Sequence, residues 1–364
     1  MGFILRRLRR RPKRVLLSRT DRIGDFILTL PVLEAMKRHI GIDFAVLCRE
    51  SVAPLLEGNP HCGRAIPIRQ GDSPQRTLRA IREGQFDCLL VFVNDPTIRK
   101  LLPELRHIPN RIGPLSKLQT LLHYTHPILQ KRSKSIKNEA EYNMDMLRLF
   151  DRKADWKIRP KLYLNEAEIK ETRCRFSAPF RSPKPKIVLH AGMGGSALNW
   201  PVFRYRKLIE RLVELDYIVI LTGAGREERK ANERFIGSLN GRFKDRAFNL
   251  AEQVNLRQLA ALISQSDLFI GPSTGPTHIA NAVGTPIVAF YPPVKVQSSV
   301  RWGPYLADAA LFVPDVPCGR KYRCAGEACG FYCCMERISV ETVLQKAMEI
   351  IGKKRTVGNA LPPF

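Results

Sequence analysis

The chain has 364 residues, 44% apolar and 26% charged, with 60 Lys and Arg against 34 Asp and Glu for a formal net charge of +26. That length suits two domains, and the composition excludes a disordered tail, a coiled coil and a collagen. The longest apolar runs, such as Leu89-Leu90-Val91-Phe92-Val93, fall far short of the roughly 18–20 residues that cross a bilayer, so no membrane span is expected.

At the front, Met1-Gly2-Phe3-Ile4-Leu5 is followed by seven basic residues between Arg6 and Arg14, with neither a long apolar stretch nor a small-residue cleavage site behind the charge. The segment does not read as a secretory signal. Nine Cys is an odd number, spread along the chain, so reduced thiols in a cytoplasmic compartment are expected rather than a disulfide framework. Residues 1–150 hold 27 basic and 14 acidic side chains, and a second basic cluster runs from Lys131 through Arg132, Lys134 and Lys137 ahead of a helical pattern. Such an excess attracts polyanions. Both clusters fit a solvated surface; an arm with Phe3, Ile4 and Leu5 among its cations also fits an anionic membrane face, at about 1 kcal/mol per nearby cation. Few aromatics accompany the charge and no nucleic-acid module is present, so nucleic acid is not expected as a partner.

Short apolar runs then alternate with helical patterns: Val15–Leu17, Phe44–Leu47, Cys88–Val93, and later Ile187–Leu189, Tyr217–Leu221, Leu268–Ile270 and Ile287–Tyr291. This alternation predicts βαβ units around parallel sheets buried on both faces. It occurs twice, with a Pro-punctuated stretch, Ser182-Pro183-Lys184-Pro185, read as the linker before the second series. The expected domains are residues 1–165 with the basic arm, 166–335, and a closing helix and tail at 336–364 that packs back on the first. Two doubly wound domains are expected to face a central cleft at the carboxyl ends of their strands, where ligands bind.

In the first loop, Arg19-Thr20-Asp21-Arg22-Ile23-Gly24-Asp25, a strand gives way through one Gly to a helix. This places Asp25 in the first turn, where the helix dipole favours a carboxylate. Asp25 is either a helix cap or a proton acceptor. One Gly is too little for a dinucleotide fingerprint. A second loop, Gly271-Pro272-Ser273-Thr274-Gly275-Pro276-Thr277-His278, follows a strand and opens a helix that ends at Gly284. Exposed backbone N–H groups at a helix N-terminus suit a diphosphate, while Ser273 and Thr274 also suit ordinary capping, and His278 fits a structural or a functional role. Two further Gly-rich turns, Ala191–Ser196 and Thr222–Glu227, close other strands.

The runs RTDRIGDFILTLP (residues 19–31), the turn 192–201 and GPSTGPTHIANAVGTP (residues 271–286) together resemble glycosyltransferase family 9, the ADP-heptose:lipopolysaccharide heptosyltransferase-like enzymes. The resemblance extends from Val15 to about residue 345. It implies a GT-B architecture of two Rossmann-like domains, with the nucleotide-sugar in the C-terminal one, and metal-independent inverting transfer without a cofactor. The donor implied is a nucleoside-diphosphate sugar, with ADP-heptose favoured. The acceptor is a lipopolysaccharide core sugar or related glycolipid at the cytoplasmic face of the bacterial inner membrane.

By the same resemblance Asp25 is the general base; Ser196, Ser273, Thr274, Gly275, Pro276 and His278 meet the donor; and Glu227, or Glu228 one position on, lies near its ribose. Two positions depart from the family pattern: Leu198 stands where many members carry Lys, and Ser273 where many carry Asp. The replacement cation is expected from Arg19, Arg22 or Arg226, with Arg19 and Arg22 as acceptor or phosphate contacts. The alternatives are transfer of another sugar into O-antigen or capsule, and a non-catalytic nucleotide-sugar or polyanion binder. Cys318, Cys324, Cys329, Cys333 and Cys334 are spaced unlike paired zinc modules; they are read as structural or redox-sensitive thiols, with a metal as the other possibility.

Overall fold

The structure is a computed structural model that describes residues 3–4, 8, 11–115, 122–195 and 197–358. Ser196 and half of the basic arm, residues 1–2, 5–7 and 9–10, therefore lie outside the described residues. The chain forms two compact units, Met1–Tyr163 and Leu164–Phe364.

In the first unit the strands are β1 (Phe3–Ile4), β2 (Arg14–Arg19), β3 (Asp43–Arg49), β4 (Arg64–Ile68), β5 (Cys88–Val91), β6 (Asn110–Pro114) and β7 (His126–Leu129). They lie in the order β1-β7-β6-β5-β2-β3-β4. All pairs are parallel except β1 with β7. The helices are α1 (Ile23–Ile27), α2 (Leu30–Ala35), α3 (Pro74–Glu83), α4 (Pro96–Leu101) and α5 (Glu139–Asp145). Central strands such as Cys88–Val91 are buried throughout, as continuous apolar runs must be when helices cover both faces. Leu78, Ile81, Ile98 and Leu101 of α3 and α4 join Leu16, Leu47 and Leu89 in one core. On α5, Asn138 and Glu141 form a reciprocal capping box, which fixes where that helix starts.

The second unit contains β8 (Lys186–His190), β9 (Ile218–Thr222), β10 (Ala247–Asn249), β11 (Leu268–Pro272), β12 (Ile287–Phe290) and β13 (Ala309–Phe312), all parallel, in the order β10-β9-β8-β11-β12-β13. Its helices are α6 (Glu166–Arg175), α7 (Val202–Glu214), α8 (Gly225–Gly237), α9 (Leu256–Ser264), α10 (Gly275–Val283), α11 (Ser299–Trp302) and α12 (Val340–Gly358). Gly284, at φ 88°, ends α10 in the left-handed conformation that glycine adopts without steric cost. Trp200 stacks on Phe290 at 4.4 Å and donates from Nε1 to the Ile338 carbonyl at 3.1 Å, so one buried indole ties the turn after β8 to the chain's last segment.

Two expectations about chain organisation are corrected. The stretch 182–185 is not a linker between units: α6, which precedes it, packs on α9 and is pinned by Arg257 Nη2 to Glu168 Oε2 at 2.6 Å. The closing helix buries Val340, Val343, Ala347 and Ile351 in the core of the second unit beside Leu208 and Leu212 of α7, because its apolar face matches that groove.

Candidate functional site

Each sheet has a point where its strand order reverses. In the first, the chain runs outward through β2, β3 and β4, then returns to place β5 on the other side of β2. In the second, β8, β9 and β10 run one way and β11 returns to the other side of β8. Loops diverge at such points and open a crevice at the carboxyl ends of the strands, the usual ligand site of an open α/β sheet. The first and second loops of the sequence occupy these two positions.

After β2, Arg19 reaches inward and is only 2% exposed. Its Nε donates to Asp21 Oδ1 at 2.7 Å, and its Nη2 to Asp25 Oδ1 at 2.6 Å and Asp21 Oδ2 at 2.9 Å. Its Nη1 donates to Asn143 Oδ1 at 3.2 Å and lies 3.5 Å from Glu139 Oε1. The three carboxylates raise the Arg19 pKa further although burial opposes them, so the guanidinium is a permanent cation. Arg19, expected as an acceptor or phosphate contact, is buried and is a counter-ion of Asp25. The capping position of α1 is Arg22, with Asp25 one turn inside. Because α1 has only five residues, the main electrostatic partner of Asp25 is Arg19 rather than a helix dipole. Arg22 is exposed. Asp95, at the head of α4, accepts from Thr20 Oγ1 at 2.9 Å and lies 3.9 Å from Arg49 Nη2. Glu139, Asn143 and Asp95 were not singled out from the sequence; only the capping signal at Asn138 marks the first two.

After β11, Thr274 holds the N-cap position of α10 but its side chain makes no capping bond; its Oγ1 donates instead to the Pro272 carbonyl at 3.4 Å. Thr277 Oγ1 donates to the same carbonyl at 2.5 Å. The backbone N–H groups that open α10 are left without a side-chain cap, and Ser273, Thr274, Gly275 and Pro276 are all partly accessible. His278 is buried, and its Nδ1 has no hydrogen-bond partner. Half-occupied donors around a helix N-terminus are what an anion completes.

Glu228, rather than Glu227, meets the neighbouring strand ends. Its carboxylate accepts from the Ala224 N–H at 2.7 Å, lies 4.0 Å from His190 Nε2, and covers Gly192 and Gly223 so closely that a methyl group at Gly192 would overlap it. Glu227, one helical step away, is 86% exposed and faces Lys230. Arg226 is exposed. Leu198 packs against the core of the second unit, so no cation stands where the family commonly has one.

Burial holds the His190 and His278 pKa values down at about 4. The unfolded chain takes up a proton at each near pH 6.5, whereas the folded chain does so only near 4. Stability is therefore complete above pH 6.5 and is lost as pH falls towards 4, on the order of 3 kcal/mol for each histidine. Urea unfolding at pH 7.5 and pH 5 checks this: the midpoint falls on acidification, and His278→Gln removes about half of the pH dependence.

The late cysteines, Cys318, Cys324, Cys329, Cys333 and Cys334, line one cavity of 330 Å³ with Leu198, Val316 and Phe331, and all five thiols are free. Burial, reinforced by Cys324, Cys318 and Cys329, pushes the Cys334 thiol pKa up. Among the described residues no group of three or more His, Cys, Asp or Glu is placed to hold a metal ion.

Two α/β units, each with a polar loop at its own switch point, are the parts of the GT-B fold, and solved structures share that fold. The structure of Escherichia coli ADP-heptose lps heptosyltransferase II matches with a TM-score of 0.77 over 94% of this chain and 99% of that one, at 21% identity. The sequence profile of glycosyltransferase family 9 (heptosyltransferase) matches residues 75–326, and the chain belongs to that family. It is 30% identical over 305 residues, 80% of this chain and 86% of the other, to a Haemophilus influenzae protein that carries only the general name glycosyltransferase. It is 25% identical over 336 residues, 89% of this chain and 94% of the other, to lipopolysaccharide heptosyltransferase 2 of Escherichia coli K12. The protein is a glycosyltransferase, as the resemblance implied. No helix among the described residues is long and apolar enough to cross a membrane.

Proposed function

We propose that the chain transfers heptose from ADP-heptose to the core of a lipopolysaccharide, with inversion at the anomeric carbon. The observation that carries this reading is the uncapped start of α10 beside a buried, unpaired His278 Nδ1 at the switch point of the second sheet. In the proposed reaction Asp25 takes the proton of the acceptor hydroxyl as its oxygen bonds to the anomeric carbon. The bond from that carbon to the diphosphate breaks, and ADP leaves with the electron pair. The N–H groups of Thr274, Gly275 and Thr277 are preorganised donors for the charge that builds on the diphosphate. A carboxylate of ordinary basicity suffices when proton transfer is late, because the attacking oxygen has become acidic by then. Glu228 is proposed to meet the ribose, and transfer is proposed to proceed without a metal ion. The basic arm serves to hold the enzyme at the anionic cytoplasmic face of the membrane, where its acceptor lies.

The test is ADP release by the full chain from ADP-heptose and a lipopolysaccharide-core acceptor, set against ADP-glucose and UDP-sugars. Preference for ADP-heptose supports the reading; turnover of another nucleotide-sugar alone overturns it. One substitution separates binding from folding. The atoms nearest a methyl at Gly192→Ala are the carboxylate end of Glu228, whose hydrogen bond to Ala224 would be given up, so the change should cost about 1 kcal/mol of stability, the worth of one hydrogen bond. It should nevertheless raise the KM for donor severalfold by displacing the carboxylate, as paired melting and initial-rate measurements would reveal.

A further inference from the structure

Resting on the reading of Asp25 as the base, we infer that Glu139 is a positioning residue for it, acting through Arg19, and that Arg132 sets the strength of that action. Glu139 stands on α5, 114 positions beyond Asp25 in the sequence, and is 1% exposed. Its Oε1 faces two guanidiniums: Arg19 Nη1 at 3.5 Å, and Arg132 Nη1, which donates to it directly. Arg19 is therefore shared between Asp25 and Asp21 on its outer edge and Glu139 and Asn143 on its inner edge. The backbone is tied in the same sense. Asn143 Nδ2 donates to the Leu28 carbonyl at 3.1 Å and to Thr29 Oγ1 at 3.2 Å, and Thr29 Oγ1 donates to the carbonyl of Asp25 itself at 3.0 Å. One turn of α5 thus holds both the base's counter-ion and the peptide that carries the base.

Among the described residues this group includes the carboxylates of Asp21, Asp25 and Glu139 and the guanidiniums of Arg19 and Arg132, in a region with little water. Charges at such distances interact strongly when buried. Glu139 draws the guanidinium away from Asp25 and adds a negative field, and both effects raise the base's affinity for a proton. Arg132 offsets Glu139 and works in the opposite sense. Uncharged replacements at the two positions should therefore move the acid limb of activity in opposite directions, which loss of packing would not do.

The experiment is the kcat–pH profile of the full-length enzyme with saturating donor. Glu139→Gln should shift the acid limb down by roughly half a pH unit or more and lower kcat about tenfold, with the KM for donor unchanged. Arg132→Gln should shift the limb up. Lower melting temperatures with both limbs in place would reduce Glu139 to a structural role and overturn the inference. Should Glu139→Gln fail to fold, Arg132→Gln decides alone, because an unmoved limb in that variant overturns the inference. If Asp25→Asn retains full activity, the assignment of the base fails and this inference with it; if Asp25→Asn is inactive while both limbs stay fixed, only the present inference fails.

Discussion

Asp25→Asn should lower turnover by about two orders of magnitude or more, the usual size of a general-base contribution, while ADP binding stays within about twofold of the parent. The substitution is a clean one here. Asn keeps the volume and an oxygen that can still accept from Arg19 Nη2, 2.6 Å from Asp25 Oδ1, while it removes the negative charge and the capacity to take a proton. Asp25 also lies in the first unit, whereas the uncapped helix start and Glu228 lie in the second, so the donor's proposed contacts are untouched. Isothermal titration with ADP, paired with initial rates at saturating donor, checks both halves of the expectation. A variant with full turnover would remove Asp25 from the chemistry.

Arg19→Met should be the most destabilising single change in the first loop. Its side chain is 2% exposed and faces Asp21, Asp25 and Glu139, so removing the cation takes a shared partner from three carboxylates that have little access to water. Breaking a buried pair in this way typically costs about 3–5 kcal/mol, more than the pair itself is worth, because the unpaired partner remains buried. The loss should shrink when Glu139→Gln is added, since one of the three carboxylates that Arg19 serves is then neutral. Urea melts of the two single variants and the double variant supply that coupling. Simple additivity would mean that Arg19 stabilises through packing alone.

The central strands were legible because they are buried on both faces: Leu16-Leu17, Cys88–Val91, Ile187–Leu189 and Leu268–Ile270 are continuous apolar runs. Several other strands were not. In β4, β6 and β7 the prolines Pro67, Pro114 and Pro127 interrupt the signal, and β4, β10 and β13 sit at sheet edges where one side of the ladder is unpaired. The two loops at the switch points could be found from glycine and hydroxyl residues after apolar runs, since close backbone approach needs those residue types. The partners of Arg19 could not. Glu139 and Asn143 come from a helix more than a hundred residues later, and only tertiary packing brings them to β2. The choice between Glu227 and Glu228 turned on helical phase, because one residue rotates a side chain by about 100° and α8 begins at Gly225. Leu198 carries no cation for the donor, and its apolar contacts with the core explain why it is tolerated there.

The most direct measurement is an ADP titration followed through the backbone amide resonances of the labelled protein. The amides of Thr274, Gly275 and Thr277 should show the largest displacements and saturate with one bound ADP, while those of Asp21 and Asp25 move little. Displacements concentrated elsewhere, with the start of α10 unmoved at saturation, would contradict the assignment of that helix as the seat of the diphosphate.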